Sequence, residues 1–209
     1  MTRVLIGLFG VFLAAAPLAA QDEGLYGSKA PEDAAFVRII NSGTDTLPRL
    51  PVGAVRFARL APLEVSPYKV LTPGVLIIKA RDGQVDIAAG AREYYTVAVS
   101  DAGPKVFQDR RHDDPLKAQL ILYNLTDISP INLKTADGGS EVISGVQAGE
   151  SASIAVNPVR TGLSLFEGEK ELETAGSVDM EAGQSYGIFA VDHSGELKIF
   201  VEQAEVAAE

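Results

Sequence analysis

Residues 85–107 read Val85-Asp86-Ile-Ala-Ala-Gly90-Ala-Arg-Glu-Tyr94-Tyr95-Thr-Val-Ala-Val-Ser-Asp-Ala-Gly-Pro-Lys-Val-Phe107. Residues 178–200 read Val178-Asp179-Met-Glu-Ala-Gly183-Gln-Ser-Tyr186-Gly-Ile-Phe-Ala-Val-Asp-His-Ser-Gly-Glu-Leu-Lys-Ile-Phe200. Val-Asp, Ala-Gly, Tyr, Val, Gly, Lys and Phe recur in one order with single-residue gaps, so one unit is present twice. Each repeat is a β-branched or aromatic run between turn residues, the pattern of a strand pair. The turn at Gly90 or Gly183 delivers Tyr94 or Tyr186 to the start of a late core strand. A tyrosine there buries its ring and bonds backbone across the corner, as in Greek-key sandwiches, so both are read as structural.

Working outward, the beginnings of the two copies also correspond. Val37, Ile39 and Asn41 match Leu120, Leu122 and Asn124, and Val70-Leu71-Thr72-Pro73-Gly74 echoes Val159-Arg160-Thr161-Gly162. Other short runs, Val75–Ile78, Ser164–Phe166 and Leu197–Val201, are strand-like, and Asp82-Gly83, Asp137-Gly138-Gly139 and Ser194-Gly195 are turns. No long stretch has helical period. The sequence therefore predicts an all-β chain of two tandem, related β-sandwich domains of immunoglobulin-like or carbohydrate-binding-module-like type, each of about 80–90 residues.

The flanks complete the layout. Met1-Thr2-Arg3, the apolar run Val4–Ala16, Pro17 and then Leu18-Ala19-Ala20 predict a signal peptide over 1–20, cleaved after Ala20. The run is shorter than the roughly 20 residues of a membrane span, so the processed chain is not expected to cross a bilayer. An arm follows over 21–35, the first sandwich over 36–107, a linker over 108–117, the second sandwich over 118–203 and a tail over 204–209. The linker Gln108-Asp109-Arg110-Arg111-His112-Asp113-Asp114-Pro115 is charged and poor in large apolar residues. The periplasm is the expected location.

Composition removes whole classes of function. There is no cysteine, hence no disulfide, thiolate nucleophile or Cys-held metal. The formal net charge is −10, which argues against nucleic acid. Nucleophilic hydrolysis needs Ser, a His base and an orienting acid together, and only His112, in the linker, and His193, in a turn, exist. A metal site could be drawn only from Asp109, His112, Asp113 and Asp114, or from Asp192 and His193, and a solvated charge run explains these better. The sequence assigns no catalytic residue, metal or cofactor. Asn124-Leu125-Thr126 fits a glycosylation sequon, but its place at a strand end reads as a chain turn.

Charge divides what the repeat unites. Residues 36–117 hold 12 Lys+Arg and 9 Asp+Glu, whereas 118–209 hold 4 and 15. Only the first sandwich can therefore offer a basic face to an anionic polymer. Its candidates are Arg56, Arg59, Lys79, Arg81, Arg110 and Arg111, with Lys79 and Arg81 on one strand face by parity. Solvated edge charges that deter aggregation are the competing explanation. The acidic second sandwich suits a protein partner.

Several segments resemble a known family. Leu25-Tyr26-Gly27-Ser28-Lys29-Ala30-Pro31, then Phe36-Val37-Arg38 and Asn41, are similar to the start of the AlgF family of alginate biosynthesis proteins. So are Asn124-Leu125, Leu133-Lys134-Thr135-Ala136-Asp137-Gly138 and Asn157-Pro158-Val159, with Ser28 a departure where the family often has Pro. The resemblance implies a periplasmic, non-catalytic adaptor needed for O-acetylation of alginate or a related exopolysaccharide. Its implied partners are SGNH-hydrolase-like acetyltransferases, a membrane-bound O-acyltransferase and the anionic polysaccharide itself. The alternative is a stand-alone carbohydrate-binding or structural sandwich of the cell envelope.

Overall fold

The computed structural model describes residues 31–207. The expected signal peptide and all but the end of the expected arm lie outside the described residues. Among the described residues sixteen strands follow one another, and none of those residues is helical. The first eight are β1 (Ala35–Asn41), β2 (Leu50–Val52), β3 (Val55–Phe57), β4 (Lys69–Leu71), β5 (Gly74–Ala80), β6 (Gly83–Ala89), β7 (Tyr94–Ser100) and β8 (Gly103–Asp109). The second eight are β9 (Ala118–Leu125), β10 (Ile131–Thr135), β11 (Glu141–Val146), β12 (Ser151–Val156), β13 (Arg160–Glu167), β14 (Lys170–Asp179), β15 (Ser185–His193) and β16 (Glu196–Gln203). No helix among the described residues is long and apolar enough to cross a membrane.

The duplication is visible in the register. One sheet runs β4-β1-β7-β8 and its counterpart β12-β9-β15-β16. In each, the first strand of the repeat pairs in parallel with the corner-tyrosine strand: Val37 lies opposite Tyr95, and Leu120 opposite Tyr186. The asparagines Asn41 and Asn124 do one job twice. Asn41 Nδ2 donates to the carbonyls of Asp45 (3.0 Å) and Leu60 (3.1 Å), and Asn124 Nδ2 to those of Ile128 (2.8 Å) and Val146 (3.1 Å). Both side chains are fully buried, so Asn124 serves the turn and is closed to glycosylation.

The opposing sheets differ. In the second sandwich they form a continuous β11-β10-β13-β14, while in the first they are two hairpins, β2–β3 and β5–β6. Pro51 sits in the middle of β2 and has no N–H to give a ladder. Each sandwich still closes its own core. Val37, Ile39, Leu47, Phe57, Ile78 and Val97 fill the first, and Leu120, Leu122, Ile131, Leu133, Leu165 and Ile188 the second. Each such side chain adds roughly 1.5–3 kcal/mol of burial.

The two sandwiches are not beads on a linker. The described residues, 31–207, all belong to one compact unit. β1 and β9 are buried on both faces, because the outer face of one sandwich's sheet covers that of the other. Ile40, Ala98 and Phe107 from the first meet Ile121, Tyr123, Phe189 and Val191 from the second. The Tyr123 ring stacks on Phe189 (centroids 4.7 Å) and meets Phe107 edge-on (5.4 Å).

This changes two expected boundaries. β8 continues through Gln108 and Asp109, which are therefore not linker, and Asp109 is buried under the second sandwich. Residues 204–207 are not a free tail but a strap back to the first sandwich. Tyr68 N donates to Glu205 O (2.7 Å) and Ala207 N to Tyr68 O (2.8 Å), with Tyr68 and Val206 bridged in parallel.

Candidate functional site

The polar heart of the molecule lies in the seam. Arg38 projects from the outer face of β1 and is 1% exposed. Its Nε donates to Thr96 Oγ1 (2.9 Å) and its Nη2 to Tyr123 Oη (3.0 Å), while the guanidinium carbon lies 4.7 Å over the Tyr68 ring. Asp109 accepts from Tyr68 Oη (2.7 Å), Thr96 Oγ1 (2.6 Å) and Tyr123 Oη (2.5 Å). The two charges thus share a shell of hydroxyls supplied by both sandwiches.

The electrostatics follow from that enclosure. Burial opposes ionisation of Arg38, yet Tyr123, Tyr68 and Asp109 together raise its pKa above the usual value, so it stays charged. Burial pushes the Asp109 carboxyl up, and Arg38 with the three hydroxyls only partly offsets it. Tyr123 is likewise raised, chiefly by burial. Gly187 makes the room: a Cβ there would stand 2.8 Å from Arg38 Nη2 and 2.8 Å from the Phe189 ring.

The seam opens outward as a cleft of about 180 Å³ lined by Tyr68, Tyr94, Asp109, Arg110, Arg111 and Gln184. A trough of about 390 Å³ continues from it between residues 110–114 and β12, bounded by Ser153, Ile154 and Ala155.

The corner tyrosine of the first sandwich is Tyr95, not the expected Tyr94. Tyr95 Oη donates to Ala88 O (3.2 Å), accepts from Gly90 N (3.4 Å) and also meets the Glu93 carboxylate. Tyr94, one residue earlier, points the other way and stacks on Phe36 at 4.4 Å. In the second sandwich Tyr186 Oη accepts from Glu181 N (2.9 Å) and donates to Asp179 O (3.3 Å). The tandem Tyr94-Tyr95 hides which residue has the inward parity; the register with Val37 settles it.

The six basic candidates do not assemble on one face. Arg56 and Arg59 are exposed on and just after the β2–β3 hairpin, and Lys79 is exposed on β5. Arg81 lies beyond β5 in a turn at φ 55°, so the strand parity that joined it to Lys79 does not hold. Its Nη2 is 3.4 Å from Asp101 and its Nη1 3.9 Å from Asp45. Arg111 Nε is held by Asp113 at 2.7 Å. Among the described residues, Arg56, Arg59, Lys79 and Arg110 have no carboxylate partner within salt-bridge distance. His112 Nε2 lies 2.9 Å from Lys117 O, and the Nδ1 of His193 is enclosed without a partner. No group of three or more metal-binding side chains occurs among the described residues.

The family described as "Alginate O-acetyl transferase AlgF" matches this chain over residues 9–187. The chain belongs to the AlgF family. Among AlgF relatives, "Alginate biosynthesis protein AlgF" of Pseudomonas aeruginosa is 32% identical over 188 residues, covering 88% of this chain and 86% of the relative. The protein of the same name in Azotobacter vinelandii is 29% identical, covering 86% and 82%. Solved structures of the C-terminal and N-terminal domains of AlgF from P. aeruginosa are 28% and 26% identical to this chain. They cover 42% and 39% of it and 98% and 100% of themselves, with TM-scores of 0.39 and 0.35. Membership ties this AlgF-family chain to alginate biosynthesis and O-acetylation.

Proposed function

We propose that the chain is a non-catalytic periplasmic adaptor in alginate O-acetylation. It holds an SGNH-hydrolase-like acetyltransferase and presents a second surface to another component of the machinery, such as the membrane-bound O-acyltransferase. The observation that carries this is the locked seam. Two sandwiches of opposite formal net charge are fixed back to back by Arg38, Tyr123 and Asp109, so their outward faces keep one relative geometry. A rigid body with two unlike faces is what an adaptor needs.

The transfer chemistry named in the family's description then belongs to the partner. His112 Nε2 meets the backbone carbonyl of Lys117, and no serine hydroxyl bonds a histidine ring among the described residues. Direct polymer contact falls to Arg56, Arg59, Lys79 and Arg110, since Arg81 and Arg111 are already answered by aspartates.

Purified mature chain, the purified acetyltransferase and polymannuronate provide the test. The chain alone is expected to release no acetyl from a chromogenic ester and to bind the transferase. Ester cleavage abolished by one Ser→Ala change would overturn the non-catalytic reading. Polymannuronate titrated at low and high salt reports on Arg56, Arg59, Lys79 and Arg110: exposed attraction must fade as the Debye length shrinks to about 8 Å.

A further inference from the structure

The edge of β12 is undefended. β12 pairs with β9 on one side only, and its sequence Ser151-Ala-Ser-Ile-Ala-Val156 contains no charge, proline or glycine. The other edges of the three four-stranded sheets are blunted in the ways soluble sheets use, and the hairpins carry Pro51 on β2, Arg56 on β3, Lys79 on β5 and Asp86 on β6. β8 carries Pro104 and Lys105, and β16 carries Glu196, Lys198 and Glu202. β14 carries Lys170, Glu171 and Glu173 and is bulged, while β11 starts on Glu141 and bends at Gly145 (φ 70°). β4 has three residues, and the strap pairs with Tyr68 just before it.

The backbone groups on the free side can be assigned. Asn124 N donates to Glu150 O, one step beyond the Ser151–Tyr123 pair. Antiparallel alternation then directs Ala152, Ile154 and Val156 to β9. The N–H and C=O of Ser151, Ser153 and Ala155 face outward. Beside them runs the trough of about 390 Å³, where the small side chains of Ser153 and Ala155 leave room for larger neighbours.

We propose that β12 receives an extended strand of the acetylation partner, adding a fifth strand to the sheet β12-β9-β15-β16. This rests on the adaptor reading and gives it a place. Charge at the two ends states the strand's chemistry. Lys117 Nζ is held at Asn157 (2.6 Å), next to the C-terminal end of β12, and exposed Glu150 stands at the other end. An antiparallel strand that begins with an acidic residue, continues for about six uncharged β-prone residues and ends on a basic one is complementary at both ends.

Residue-resolved hydrogen exchange on the mature chain, with and without the purified SGNH-hydrolase-like acetyltransferase, tests this. In the free chain the amides of Ser151, Ser153 and Ala155 should exchange fast and those of Ala152, Ile154 and Val156 slowly. Transferase should protect the first three. Ser153→Pro removes one outward N–H without touching the β9 ladder, and should weaken binding about tenfold. Ser153→Lys, which keeps the N–H and adds a guarding charge, should also weaken it, with thermal unfolding checking that both variants fold. Protection of the three amides in the free chain would overturn the proposal, and sedimentation would then tell a second copy from the chain's own segment. Unchanged affinity in both variants would remove the β12 site and leave the adaptor reading standing. A transferase that binds no form of the chain would remove both.

Discussion

Arg38 and Tyr123, 85 residues apart in sequence, are joined at 3.0 Å from Nη2 to Oη with both side chains enclosed. They occupy outer faces of equivalent sheets in duplicated sandwiches, where β1 carries Arg38 and the matching place on β9 is Ile121. The seam therefore arose on faces that a lone sandwich would show to water.

Removing the cation should be severe. Arg38→Leu leaves Asp109 buried beside hydroxyls alone, and an uncompensated buried charge costs about 3–5 kcal/mol. Urea unfolding should register that loss, and the double change Arg38→Leu with Asp109→Leu should recover part of it. A single change below about 1 kcal/mol would mean water reaches the seam.

The corner hydroxyls should separate the tyrosines. Tyr95→Phe and Tyr186→Phe each delete part-buried backbone bonds and should destabilise by about 1 kcal/mol. Tyr94→Phe keeps the stack on Phe36 and should change stability by less than about 0.5 kcal/mol. The comparison is a set of denaturation midpoints at one slope.

Two aspartates should give pH slopes of opposite sign. Asp109 binds its proton more tightly folded than unfolded, so its contribution is greatest in acid and declines as pH rises through its raised pKa. Asp101 is lowered, first by the Thr44 hydroxyl and amide and then by Arg81, so its contribution is present above the ordinary aspartate value and lost as pH falls through the lowered one. Melting temperatures from about pH 3 to about pH 7 should show Asp101→Asn flattening the acid arm and Asp109→Asn removing the opposing slope.

Residues 118–203 alone should keep a cooperative transition at a lower urea midpoint than the whole chain. Their core is closed, but Ile121, Tyr123 and Phe189 lose their cover. The isolated half should bind a dye for apolar surface that the full chain excludes.

The sequence made the sandwiches legible because strand alternation and turn chemistry are local, and the repeat supplied a second copy of each signal. It concealed the seam because Val37-Arg38-Ile39 alternates as a half-solvated strand does. Nothing local marks Arg38 as covered by residues 85 positions away. Leu120-Ile121-Leu122-Tyr123 did carry a mark, since apolar side chains on both parities belong to a strand buried on two faces. A charge count, which points to the basic candidates, is blind to Asp45, Asp101 and Asp113 neutralising two of them. The β12 edge needed topology, because an uncharged six-residue strand is ordinary in a sheet's middle and conspicuous only at its border.

The strap from Ala204 to Ala207 sets an order of events. Tyr68 holds one end of the seam through Asp109 and the other through Glu205 and Ala207, so a residue in the first third of the chain waits for partners near its end. In a chain that emerges from the ribosome N-terminus first, the first sandwich can close while its outer sheet is still bare. Arg38 then stays hydrated until the second sandwich arrives, and the final fastening is postponed to the last residues delivered. Any fusion that stiffens or lengthens the chain just after residue 207 acts on that fastening.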